Sequence, residues 1–114
     1  MRPQAIIIGG GPAGVACAIW LKKLGVAPVL LEAGPKLGGL QTRSPYENLW
    51  IPGVQGKTGQ QVAEGLAHHV EALSIDSRLT CKALAVAHDS DGGYTVSTAA
   101  SAVSAPYVVI ATGT

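Results

Sequence analysis

The chain has 114 residues, a formal net charge of +1, 47% apolar residues and only 13% charged ones. Its length suits one domain that buries roughly two-thirds of its unfolded surface. A charge content below the usual quarter or so points to a buried sheet or a covered surface, while the near-neutral balance and scarce aromatics argue against nucleic-acid and membrane partners.

The N-terminus, MRPQAIIIGGG, passes straight from a short apolar run into glycines. It has no signal-peptide core followed by a small-residue cleavage site, and no apolar run reaches the roughly 18 residues of a membrane span. The expectation is a cytoplasmic protein. Ala5–Ile8 reads as a buried parallel strand. Gly9-Gly10-Gly11-Pro12 breaks it, and Ala13 to Leu24 reads as a helix with apolar positions Val15, Ile19, Leu21 and Leu24. Lys22 and Lys23 suit the negative end of the helix dipole, and Gly25 is a natural stop. Val29–Leu31 is a second apolar strand ending at Glu32, so the first third of the chain reads as a right-handed βαβ unit.

From Gly34 to Gly59 the chain is rich in Gly, Pro and polar residues, which predicts an ordered loop with short helical pieces at most. A loop of that length in a small domain is usually functional. Thr58 is placed to cap a helix from Gly59 to Leu73, whose Val62, Ala63, Leu66, Ala67, Val70 and Leu73 form an apolar stripe. Arg78–Ala87 and Tyr94–Thr98 read as strands around the turn signal HDSDGG, with SAVSAP a weaker third. Tyr107–Ala111 closes the chain as a fully apolar strand before Thr112-Gly113-Thr114. The predicted fold is α/β: a three-layer Rossmann-like domain over 1–114. Its parallel strands lie near Ala5–Ile8, Val29–Leu31, Leu79–Ala87 and Tyr107–Ala111, and a small β-meander near Lys82–Ala105 covers one face.

Gly9-x-Gly11-x-x-Gly14 fits the dinucleotide fingerprint. Gly9 makes the tight turn out of the strand, Gly11 lets the backbone approach a pyrophosphate, and Gly14 lets helix and strand pack closely. The helix N-terminus then faces the anion with free N–H groups and a positive dipole end. Glu32, roughly 20 residues on, suits hydrogen bonds from a ribose diol and repels a 2′-phosphate. A strand before, a helix after, a second strand and an acidic residue at its tip favour this over an unliganded glycine-rich turn. No residue stands out as a general acid, base or nucleophile, so none is assigned as catalytic. Cys17 and Cys81 form no CxxC pair and read as small apolar residues; His68, His69 and His88 have no spacing partner that would complete a metal site.

Four segments in order, IIIGGGPAGVACAIWLKKLG, VLLEAGPKLGGLQTRS, YENLWIPG and YVVIATGT, resemble the FAD domain of the two-dinucleotide-fold flavoprotein oxidoreductases. The likeness is to the thioredoxin reductase-like branch, which includes a type of ferredoxin/flavodoxin–NADP reductase. It implies FAD as the cofactor, with Gly9, Gly11, Pro12, Ala13 and Gly14 at the pyrophosphate and Glu32 and Ala33 at the adenosine ribose. It further implies Gly38, Gly39, Leu40, Gln41 and Asn48 toward the flavin, backbone near Ala83 at the adenine, and Ala111, Thr112 and Gly113 where relatives leave the domain. The resemblance also implies that the inserted NADPH domain, its CxxC and a returning Gly-Asp segment are absent here, so that the family's FAD domain lacks its C-terminal part. The apolar strand Tyr107–Ala111 would then be an exposed sheet edge, expected to pair with a second copy or a complementary chain.

Three readings stay open at this level. One is a flavoprotein module holding FAD for NAD(P)H-linked electron transfer. Another is a non-catalytic module that binds adenine dinucleotides or a partner. The third is a piece of a longer enzyme, inactive without a partner chain. The electron donor and acceptor are not encoded in these motifs.

Overall fold

The computed structural model describes residues 2–113. In chain order it contains β1 (Ala5–Ile8), α1 (Pro12–Lys23), β2 (Pro28–Leu31), a 3₁₀ turn (Gly39–Arg43), α2 (Gly59–Ala72), β3 (Asp76–Arg78), β4 (Ala85–His88), β5 (Tyr94–Ser97), β6 (Ala102–Ala105) and β7 (Tyr107–Ile110). Four parallel strands form one sheet in the order β3-β2-β1-β7, and β4-β5-β6 form a separate antiparallel meander.

The apolar runs of β1 and β2 are continuous because both faces of the central sheet are covered. Their registers pair Ile6 with Val29 and Ile7 with Leu30. Ile7 and Leu30 pack with Val15 and Ala18 of α1 and Val70 of α2 on one side. Ile6, Val29 and Leu31 pack with Val96, Val103 and Ala105 of the meander on the other. These are the three expected layers, and they account for the low charge content. Cys17 is packed against the helix-side cluster and Cys81 against the meander-side cluster, in keeping with their reading as small apolar residues.

Both helix termini follow from local chemistry. At the end of α1, Gly25 has φ +82°, its N–H reaches the Lys22 carbonyl at 3.2 Å, and the Val26 N–H reaches Leu21 at 2.9 Å. That double closure needs a left-handed residue. α2 starts with a reciprocal cap: the Gln61 N–H donates to Thr58 Oγ1 at 3.2 Å, and the Thr58 N–H donates to Gln61 Oε1 at 2.9 Å. It ends with the same closure as α1, but with Ser74 in the left-handed position at φ +53°. Leu24, expected on the apolar stripe of α1, is 72% exposed because it lies beyond the last turn as the C-cap.

One predicted element is corrected. Arg78–Ala87 is not a single strand, and Leu79–Ala87 is not the fourth strand of the parallel sheet. That place belongs to Asp76–Arg78, which pairs with Val29–Leu31. The chain turns at Thr80, whose φ is +49°, and resumes extended pairing only at Ala85, within the meander. The polar triplet Asp76-Ser77-Arg78 carries no apolar signal because it is a sheet edge. The loop from Gly34 to Gly59 is ordered, as expected, with the 3₁₀ turn and a bridge between Glu47 and Thr58. No helix among the described residues is long and apolar enough to cross a membrane.

Leu30 is fully buried between β1, α1 and α2. Leu30→Ala is expected to lower unfolding free energy by about 2–5 kcal/mol, through lost transfer energy and the cavity left behind. Urea denaturation followed by far-UV circular dichroism reads the change.

Candidate functional site

β1 ends under a backbone crossing that only glycines permit. Gly9 has φ +113°, and a Cβ there would fall 2.3 Å from the Ala111 carbonyl oxygen. A Cβ on Gly14 would fall 1.8 Å from the Gly9 carbonyl oxygen. α1 therefore leaves the turn pressed against β1, with Gly14 behind the turn, in contact with the strand. Gly11 is the N-cap of α1, and a Cβ on it would face Gly39 Cα at 3.6 Å. Two backbone stretches thus come within contact distance across the mouth of the turn, where glycine leaves room for a third group.

The N-terminus of α1 differs from that of α2. No side chain caps it, whereas Thr58 and Gln61 cap α2; neither helix has an acidic residue in its first turn. Its orphan N–H groups and positive dipole end remain available to an anion.

Beside the turn, at the end of β2, stands the half-buried Glu32. Its main chain is held on both sides: its N–H donates to the Arg78 carbonyl at 2.9 Å, and its carbonyl accepts from Cys81 at 2.8 Å. Its carboxylate accepts the Gly10 N–H at Oε1 (2.9 Å) and the Gly34 N–H at Oε2 (2.7 Å). Each oxygen keeps a lone pair for a ligand hydroxyl.

These parts line one cleft of about 920 Å³, within the range of small-molecule sites. The glycine turn supplies Gly9, Gly11, Pro12 and Ala13, and β2 supplies Glu32. The 3₁₀ segment supplies Gly39, Leu40 and Gln41, and the end of β7 supplies Ala111, Thr112 and Gly113. Five other residues singled out in the sequence lie off its wall. Gly14 and Gly38 work from behind, Gly38 as the N-cap of the 3₁₀ turn with its N–H on the Gly10 carbonyl at 2.8 Å. Ala33 is exposed beside Glu32, and Ala83 packs against the meander-side core.

Asn48 is buried in its own loop. It donates from Nδ2 to Gln41 Oε1 at 3.0 Å and accepts the Trp50 and Ile51 N–H groups at Oδ1 (3.0 and 2.9 Å). Its amide organises the loop and holds the Gln41 side chain.

The cleft also includes residues that sequence reasoning passed over: Gly10, Gly34, Pro35, Lys36, Thr42 and Arg43. Lys36 and Arg43 bring two cations to the wall. Only the length of the loop that carries Gly34 to Arg43 signalled it. A second cleft of about 810 Å³ runs along α2 over Leu37, Ala63, Ala67 and Val70. It lacks the glycine turn, and the helix start it reaches at Gln60 is already capped by Thr58 and Gln61.

The glycine crossing, the uncapped helix and the carboxylate beside them bring donors for an anion and acceptors for hydroxyls to one cleft. Residues 3–114 match the family model described as pyridine nucleotide-disulphide oxidoreductase. A ferredoxin–NADP reductase of Limosilactobacillus fermentum is 35% identical over 114 residues, covering 98% of this chain and 34% of the relative. The thioredoxin reductase of Lactococcus lactis superposes with a TM-score of 0.87 at 24% identity, covering 98% of this chain and 36% of that one. The atypical thioredoxin reductase of Desulfovibrio vulgaris Hildenborough gives 0.79 at 27% identity, covering 99% and 36%. The chain thus spans about a third of the length of these relatives.

Gly14 and Gly65 make a matched pair for testing the crossing, since a Cβ on Gly65 of α2 meets nothing within 4 Å. Gly14→Ala is expected to destabilise by about 2 kcal/mol or more, and Gly65→Ala to stabilise by about 0.5–1 kcal/mol. Urea unfolding of the two variants should move in opposite directions.

Proposed function

Because this chain belongs to the pyridine nucleotide-disulphide oxidoreductase family, we propose that it is an FAD-holding oxidoreductase module of the thioredoxin reductase-like type. The observation that carries the reading is the single cleft joining the uncapped N-terminus of α1, the Glu32 carboxylate and the 3₁₀ segment. Gly11, Pro12 and Ala13 would hold the pyrophosphate, and Glu32 would accept hydrogen bonds from the adenosine ribose hydroxyls. Gly39, Leu40 and Gln41 would serve the flavin end, with Ala111, Thr112 and Gly113 on the opposite wall. When bound, FAD supplies the electron transfer, with NAD(P)H as donor. The protein's own share is to bind, orient and shield. A similar protein is named a ferredoxin–NADP reductase, which supports an iron–sulfur protein as the class of acceptor.

A second reading has an observation of its own. The Asn48 amide is engaged within its loop and does not line the cleft. A site with few side-chain contacts at the flavin end would bind the adenosine half of any such dinucleotide, with little preference for FAD. It would then serve as a non-catalytic nucleotide-binding or interaction module.

The sheet also offers a partner surface. β7 has β1 on one side and no strand on the other among the described residues, with Tyr107 and Ile110 more than two-thirds exposed. We propose that this edge pairs with a second copy or a complementary chain.

Absorbance of the purified protein, before and after incubation with FAD and desalting, separates the two ligand readings. A retained flavin spectrum is expected; colourless protein with equal affinity for ADP, NAD and FAD supports the binding module. Glu32→Ala should weaken FAD by about tenfold to a hundredfold, since it removes charge-assisted hydrogen bonds, as read by isothermal titration calorimetry. Size-exclusion chromatography with light scattering is expected to show a dimer at micromolar concentration; a clean monomer would sink self-association through β7.

A further inference from the structure

The fingerprint spacing singles out Gly9, Gly11 and Gly14, yet the residue between the first two makes the connections. The Gly10 N–H donates to Glu32 Oε1 at 2.9 Å, and the Gly10 carbonyl accepts the Gly38 N–H at 2.8 Å. One peptide segment therefore joins the turn after β1, the carboxylate at the end of β2 and the start of the 3₁₀ turn. A Cβ on Gly10 would fall 2.6 Å from Leu37 Cδ2, 3.0 Å from Glu32 Oε1 and 3.2 Å from Glu32 Cβ. Leu37 cannot swing away freely, because it is 5% exposed and packed in the helix-side core.

We propose that Gly10 is a positioning residue for nucleotide binding. It aims the Glu32 carboxylate into the cleft and ties that aim to the Gly38–Gly39 loop, so the ribose end and the opposite end of the site are set together. The ligand-dependent part of this proposal rests on the dinucleotide reading given above. The second bond to the carboxylate, from the Gly34 N–H at 2.7 Å, completes the clamp. A carboxylate held at both oxygens loses little rotamer freedom when a ribose diol arrives, and each oxygen still has a lone pair for it. A side chain at position 10 would push on Glu32 or on the core leucine and spoil that aim, leaving the uncapped helix N-terminus in place.

Two measurements test the linkage. In the nucleotide-free protein, amide hydrogen exchange is compared between wild type and Glu32→Ala, with the β1 amides as internal reference for global stability. The Gly10 and Gly38 amides should both exchange about tenfold faster or more in the variant, as expected for loss of a bond to a charged group. Faster exchange at Gly10 with Gly38 unchanged overturns the coupling. The second measurement compares the affinities of ADP and 2′-deoxy-ADP for wild type and Gly10→Ala, with folding of the variant checked by its circular dichroism melt. Wild type should prefer ADP by about tenfold, and Gly10→Ala should bring that ratio close to one while both affinities remain measurable. A ratio unchanged by the substitution overturns the positioning role even if both affinities fall. If wild type binds neither ADP nor FAD, the dinucleotide reading fails, and the exchange measurement still decides whether Gly10 couples the two segments.

Discussion

The carbonyl oxygen of Gly9 occupies the space that a side chain on Gly14 would need, and the rest of the architecture is arranged around that crossing. With no β-carbon in the way, α1 lies directly on β1, and Val15 and Ala18 reach Ile7 and Leu30 in one apolar cluster. The same contact fixes where the helix begins. Its first turn opens beside the ends of β1 and β7, where Ala111, Thr112 and Gly113 form the opposite wall. Packing and the cleft are thus two results of one steric fact, so mutations that loosen the crossing act on stability and on the site together.

The two helices show how the chain distributes polar satisfaction. α2 is closed at its start by Thr58 and Gln61, which consume each other's hydrogen-bonding groups. α1 has only glycine and proline at its start and leaves its N–H groups to whatever enters the cleft. The acidic residue of the site stands beside this start, its carboxylate held in place by the Gly10 and Gly34 amides and aimed along the cleft. A ligand with an anionic centre and a neighbouring diol meets a donor surface and an acceptor surface in the order its own chemistry requires.

Much of this was legible in the sequence, for identifiable reasons. β1 and β2 announce themselves because a strand covered on both faces must be apolar throughout, and α2 because one face alone is buried; β7 is as apolar in sequence, although Tyr107 and Ile110 are exposed. β3 was missed because a short edge strand is held by its backbone and needs no apolar residue. Its place was given instead to Leu79–Ala87, where alternating Leu79, Cys81 and Ala83 resemble a strand but Thr80 turns the chain. In the cleft, glycine spacing located the turn, since close approach leaves a compositional trace. The Gly10 and Gly34 amides that hold Glu32 left none, because any residue offers a backbone N–H. Gln41 and Asn48 were both expected to face a ligand. The structure brings Gln41 to the cleft wall and sets Asn48 behind it, a distinction that depends on three hydrogen bonds within the loop.

The two rims of the central sheet are unlike. On the β3 side the rim is short and polar, with Asp76 and Arg78 paired at 3.2 Å, features that discourage strand addition. On the β7 side it is apolar. A sheet that can be extended in one direction only cannot propagate: once two such rims meet, neither copy has another to offer. Were the β7 edge to pair with a second copy, as proposed, the association would be self-limiting, ending in a closed pair and not in an open fibre.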